Sequence, residues 1–211
     1  MPELYPAARR AALAEQAARR ALSGLGPGAV LPRLRLATTA ELLCPAPPPE
    51  RALDLGGELE ALFEAVRQAV RRRPGWLYAA LPAAPLPVLV RPRLLQAAVL
   101  CVLRGALQNA APAVVVCQAQ GSAALLCLRG GAAGAAQGRG RGDATPLLLR
   151  LAQQGGGTAV FTGSGGFSAV VRLPTAPGLP LCVPAGAGAL LADRYSLPYQ
   201  YLSGFCAGPA D

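Results

Sequence analysis

With 211 residues the chain is long enough for one good core, or for one domain plus a helical appendage. Its 53% hydrophobic content against 15% charged residues excludes global disorder. A formal net charge of +9 admits an anionic partner, but the arginines are scattered and aromatics, at 5%, do not interleave with them, so the pattern is a solvated basic face and not a nucleic-acid interface.

In chain order, Glu3 to Leu25 reads as a helix, with Leu4, Ala8, Ala11, Ala12, Ala18 and Leu22 at helical spacing and Arg9, Arg10, Arg19 and Arg20 along its edges. Gly24-Leu25-Gly26-Pro27-Gly28 stops it. Ala29 to Leu43 is a second helical candidate, and the pair predicts a helical hairpin followed by a Pro45–Pro49 linker. Leu53-Asp54-Leu55 opens a clearer helix that Asp54 can cap, with Leu55, Leu59, Leu62, Phe63, Val66 and Val70 in one apolar stripe. It ends in Arg71-Arg72-Arg73, where cations suit a helix C-terminus. Short strands are predicted at Trp76–Tyr78 and Pro87–Val90, then a core helix over Leu94–Leu107. Val114–Cys117 and Ala123–Leu128 form a predicted hairpin turning near Gln120-Gly121-Ser122. A Gly/Ala/Arg loop, Gly130–Gly142, leads to a helix over Pro146–Gln153 that stops at Gly155-Gly156-Gly157. Strands Thr158–Thr162 and Ser168–Leu173 follow, and from Pro177 onward no long periodic segment remains. Paired strands alternating with single helices predict an α+β, two-layer sandwich, with a mixed, mostly antiparallel sheet covered by helices on one face.

The residue inventory narrows the chemistry. All basic residues are Arg, and there is no histidine, hence no imidazole base, no histidine metal ligand and no phosphohistidine. The six cysteines make no C-x-x-C pair, and Cys101, Cys117 and Cys127 lie in apolar runs where a thiol behaves as a small hydrophobe. The N-terminus lacks a signal pattern, and the apolar runs are shorter than the roughly 20 residues a membrane helix needs. The expectation is a cytoplasmic, reduced protein with no transmembrane segment and no nucleic-acid partner.

From about Leu53 to Pro174 the chain resembles the ATP-binding domain of sensor histidine kinases, in the wider GHKL ATPase group. The resemblance rests on four stretches: Arg91-Pro92-Arg93-Leu94-Leu95-Gln96 followed by Cys101-Val102-Leu103-Arg104-Gly105-Ala106; Arg129-Gly130-Gly131 after a strand; Gly142-Asp143-Ala144-Thr145 before a helix; and Gly166 to Pro174 at the end. In that family two asparagines sit on the core helix, and here they fall on Cys101 and Gly105; a register four residues later places one at Asn109-Ala110. The family's adenine-reading aspartate falls on Arg129, with the charge reversed, and its two glycine boxes fall on Gly131 and Gly142.

The resemblance implies three segments: a dimerisation-like helical hairpin over 1–50, a histidine-kinase-like ATPase domain over 51–176, and a C-terminal tail over 177–211. Gly105, Asn109, Arg129, Gly131 and Gly142 are the positions equivalent to the family's ATP pocket. Magnesium needs oxygen ligands, which neither Cys101 nor Gly105 offers, so ATP and Mg are expected only where the vestigial pocket still binds. The implied function is a degenerate, kinase-like member of a bacterial two-component pathway, a pseudokinase working on a sensor kinase or response regulator or as a homodimer through its hairpin. The alternative is a weak ATP or anion binder, or a residual ATPase, using the Gly/Arg loop with Arg139 and Arg141.

Overall fold

The computed structural model describes residues 38–42, 51–70, 76–130, 141–162, 166–192 and 196–202. Of the predicted N-terminal hairpin, only 38–42 falls among them, and it is helical. Two sheets organise the rest. The larger has five strands in the order β2–β4–β5–β7–β6, formed by β2 (Leu77–Ala80), β4 (Ala113–Gln120), β5 (Ala123–Gly130), β6 (Thr158–Thr162) and β7 (Phe167–Pro174). Its pairs are antiparallel except β2 with β4, which is parallel. The smaller has the order β3–β1–β8, from β1 (Ala52–Asp54), β3 (Pro87–Val88) and β8 (Leu181–Cys182).

The helices are α1 (Leu55–Ala69), α2 (Pro92–Gln108), α3 (Arg141–Gln154), α4 (Ala187–Ala192) and α5 (Leu197–Leu202). α2 lies on β4 and β5, α3 lies on β6 and β7, and the two helices pack against each other, so they share one face of the large sheet. This is the two-layer sandwich that the sequence pattern predicts. Alternation dictates it: Ala113, Val115 and Cys117 on β4, Leu126 and Leu128 on β5, and Ala169, Val171 and Leu173 on β7 all point into the helices and are buried. Leu95, Val99 and Val102 from α2 and Leu148 and Leu151 from α3 fill the other side of that layer. The α1 stripe, from Leu55 to Val70, is buried in the same continuous core.

Three local differences from the sequence reading have physical causes. Asp54 occupies the N-cap position of α1 but makes no side-chain cap; its Oδ1 instead accepts the Leu86 N–H at 2.9 Å, while Leu55 N–H donates to the Leu86 carbonyl at 3.0 Å. The carboxylate thus joins α1 to the segment entering β3. The residues before α1 form a strand because β1 finds partners far along the chain, β3 antiparallel and β8 parallel. α3 begins at Arg141, upstream of the predicted start at Pro146, and carries that proline inside the helix; five residues past the helix start, a proline has no N–H for the carbonyl four residues back, so the helix gives up one internal hydrogen bond there.

The segment after β7 returns to the core. β8 pairs with β1, α4 packs on α1, and α5 packs on α1 and α2. Among the aromatic residues of this segment, Tyr201 is buried with Leu197 and Leu202, while Tyr199 is exposed; Tyr195 and Phe205 lie outside the described residues.

Candidate functional site

Two of the positions that resemble a nucleotide pocket, Gly105 and Asn109, lie at the C-terminal end of α2. Gly105 lies one turn from its end and Asn109 is its C-cap residue. The structure brings these two together: the Asn109 Nδ2 donates to the Gly105 carbonyl at 2.9 Å, and the Asn109 backbone N–H donates to the same oxygen at 3.2 Å. The next residues close the helix. Ala111 N–H donates to the Ala106 carbonyl at 2.9 Å and Ala110 N–H to the Leu107 carbonyl at 3.2 Å, with Ala110 left-handed at φ 51. The Asn109 amide therefore serves the end of its own helix.

Arg129 is placed elsewhere. It pairs with Val114 and Ser168, positions that alternate away from the buried residues, so it stands on the open face of the large sheet, opposite α2 and α3. Its neighbour Gly130 faces α2 at close range: a Cβ there would meet Val102 Cγ1 at 3.0 Å and the Val102 carbonyl at 3.2 Å. A side chain at the end of β5 would therefore press on α2, and Val102 would have to give by a few tenths of an ångström to admit it. Gly142 belongs to the first turn of α3. Gly131 and Arg139 lie outside the described residues.

The half-buried guanidinium of Arg104, which the sequence reading left without a role, is turned toward the C-terminal segment. Its Nη1 donates to the Tyr201 carbonyl at 2.6 Å, giving α5 a cation at its last turn. Burial lowers the Arg104 pKa, with the nearby Cys101 and Tyr201 opposing that shift. The helix segment that resembles the nucleotide-binding box thus has its one charged side chain engaged with α5. Helical spacing in the sequence cannot show this, because the partner is 97 residues away.

Two other groups at the core have shifted protonation. Glu58 of α1 is 2% exposed and accepts from Gln96 Nε2 of α2 at 2.6 Å. Desolvation raises its pKa, and the Gln96 hydrogen bond lowers it by less. The Cys117 thiol is pushed up to about 12, first by burial, then by the charges of Asp54 and Cys127; it stays a thiol at neutral pH and is no nucleophile. Among the described residues no three His, Cys, Asp or Glu side chains gather as a metal site, and no helix is long and apolar enough to cross a membrane.

No family model matches the chain, and no curated protein matches it. Solved structures do. The histidine kinase AdeS of Acinetobacter baumannii is similar at 12% identity and a TM-score of 0.49, over 68% of this chain and 76% of that one. The histidine kinase domain of the E. coli osmosensor EnvZ is similar at 17% identity and a TM-score of 0.46, over 65% of this chain and 94% of that one. The ATP-binding domain of PrrB from Mycobacterium tuberculosis is similar at 22% identity and a TM-score of 0.44, over 60% of this chain and 97% of that one. At these identities and scores the likeness concerns chain path alone. By the order and pairing of its own elements, the described core is similar in fold to the histidine-kinase-like ATPase domains.

Proposed function

We propose that this chain is a degenerate sensor-histidine-kinase-like signalling protein that acts through protein contacts, without histidine phosphotransfer. A sensor kinase or a response regulator is the partner, and the cytoplasm is the setting. The observation that carries the reading is the absence of any histidine from these 211 residues, in a core of this architecture. A chain without imidazole has no phosphoacceptor histidine of its own. Two features of the pocket region support the same reading. The Asn109 Nδ2 is turned back onto the Gly105 carbonyl of its own helix, and the Arg129 position lies across the sheet from α2. A nucleotide site needs oxygen ligands for magnesium and groups that converge on the phosphates. Gly105 has no side chain, and Cys101 offers sulfur, a poor partner for a hard cation.

The test is direct. Purified full-length protein, incubated with ATP and magnesium, is expected to show no hydrolysis above the protein-free rate. Magnesium-dependent hydrolysis that disappears in Asn109→Ala would overturn the reading and make the chain an ATPase with its asparagine in the later register. Saturable binding that is insensitive to the base and abolished by salt would instead favour an anion site in the Gly/Arg loop.

A further inference from the structure

The large sheet has a second face that no described helix covers. Its residues follow from the strand registers. One cross-strand row is Ala80, Val116, Cys127, Val170 and Val160. It is flanked on one side by Tyr78, Val114, Arg129, Ser168 and Thr162, and on the other by Gln118, Leu125, Arg172 and Thr158. Val160 is 60% exposed, Tyr78 62% and Val170 37%. The face is thus an apolar band with an exposed arginine on each side, and the rows named contain no acidic residue. Four inter-strand gaps of about 4.8 Å make the band roughly 19 Å wide.

We propose that this face is a docking surface for an acidic amphipathic helix of a partner protein, with apolar side chains seated on the Val116–Cys127–Val170–Val160 band and carboxylates meeting Arg129 and Arg172. The charge pattern selects the occupant. A second copy of this chain carries the same arginines and a net charge of +9. The chain's own segment Glu3–Leu25 has four arginines against two glutamates and would bring further positive charge. An anionic membrane calls for clusters of about 4–8 basic residues, and this face offers two. A helix suits the surface because the opposite face of the same sheet is already covered by helices. The proposal deepens, and rests on, the reading that the chain acts by protein contacts.

The experiment uses the full chain and a labelled synthetic peptide of about 18 residues, helical by design, with Leu at i, i+3, i+4 and i+7 spacing and Glu elsewhere. Fluorescence anisotropy is expected to show saturable binding, and none by the same peptide with Lys in place of Glu. The affinity should fall about tenfold in the double variant Arg129→Glu, Arg172→Glu, and comparably in Val160→Asp. These side chains are exposed, and circular dichroism checks that each variant folds. Absence of binding, or binding that none of these substitutions weakens, overturns the proposal. So does association with phosphatidylserine vesicles but not with the peptide, or a homodimer of the chain that Val160→Asp dissociates. The two readings fail separately: magnesium-dependent ATP hydrolysis sinks the non-catalytic function and leaves this surface standing, whereas a silent face sinks the surface alone.

Discussion

At the scale of single residues, the buried carboxyl of Glu58 has the clearest consequence. It lies between α1 and α2 with Gln96 as its hydrogen-bond donor, and desolvation raises its pKa. A carboxyl whose folded pKa exceeds its unfolded one holds its proton more tightly in the native state. Its contribution to stability is therefore present at low pH and declines as pH rises from the ordinary carboxylate range through the raised value. Glu58→Gln keeps a carbonyl oxygen for Gln96 and removes the titration. Thermal melts are expected to show the variant gaining on the wild-type protein as pH rises across that window, with the two converging in acid; parallel curves would show that Glu58 does not titrate in the folded state. Neither Glu58 nor Arg104 stood out in the sequence, whereas Gly105, Asn109 and Arg129 did. The reason is physical: linear spacing shows which side of a helix or strand a residue occupies, but the partner that gives a polar group its role is set by tertiary packing. Gln96 is 38 positions from Glu58 and Tyr201 is 97 from Arg104.

At the scale of elements, apolar periodicity made α1, α2 and the β4–β5 and β6–β7 hairpins legible. Short pieces were not. β1 and β8 owe their form to each other and to β3, and the six-residue helices α4 and α5 are too brief to display a period. The glycine triplet after α3 was a sound stop signal, and its geometry explains why. Gly157 N–H donates to the Ala152 carbonyl at 2.8 Å and Gly156 N–H to the Gln153 carbonyl at 3.3 Å, with Gly156 left-handed at φ 67. The end of α2 repeats this motif with Ala110 in the left-handed position, where a Cβ is strained. Opposite signs follow for exchanging the residues. Ala110→Gly should stabilise the protein by about 0.5–1 kcal/mol, the relieved strain outweighing the added freedom of the unfolded chain. Gly156→Ala should destabilise it by about 1 kcal/mol, and only through backbone strain, since no atom lies within 4 Å of the added Cβ. Urea denaturation of both variants checks the pair; shifts of the same sign would refute the strain account.

At the scale of the molecule, among the described residues the short helical stretch 38–42 ties the chain preceding the sandwich to it. Glu41, 3% exposed, receives Arg91 Nη2 at 2.8 Å and Arg93 Nε at 2.9 Å, and the Thr38 and Tyr201 hydroxyls share a hydrogen bond of 2.8 Å. These contacts link the N-terminal chain to the start of α2 and to α5 together. The Arg91 backbone N–H also donates to Gln154 Oε1 at 3.0 Å, which adds the end of α3 to the same junction. The hairpin predicted over Glu3–Leu43 buries too little apolar surface to stand alone and must lean on a second surface. We expect that surface to be the hairpin of a second copy or of a kinase. A chain beginning at Pro49 should then sediment as a monomer while the full chain sediments as a dimer. The shortened chain should also lose about 1–2 kcal/mol of stability, because Arg91 and Arg93, both partly exposed, lose their shared carboxylate. The two readouts are independent. A stability loss with monomers in both cases would mean that the hairpin leans only on its own sandwich through the Glu41 junction. Monomers of equal stability would remove the dimerisation role and show that the junction contributes nothing measurable.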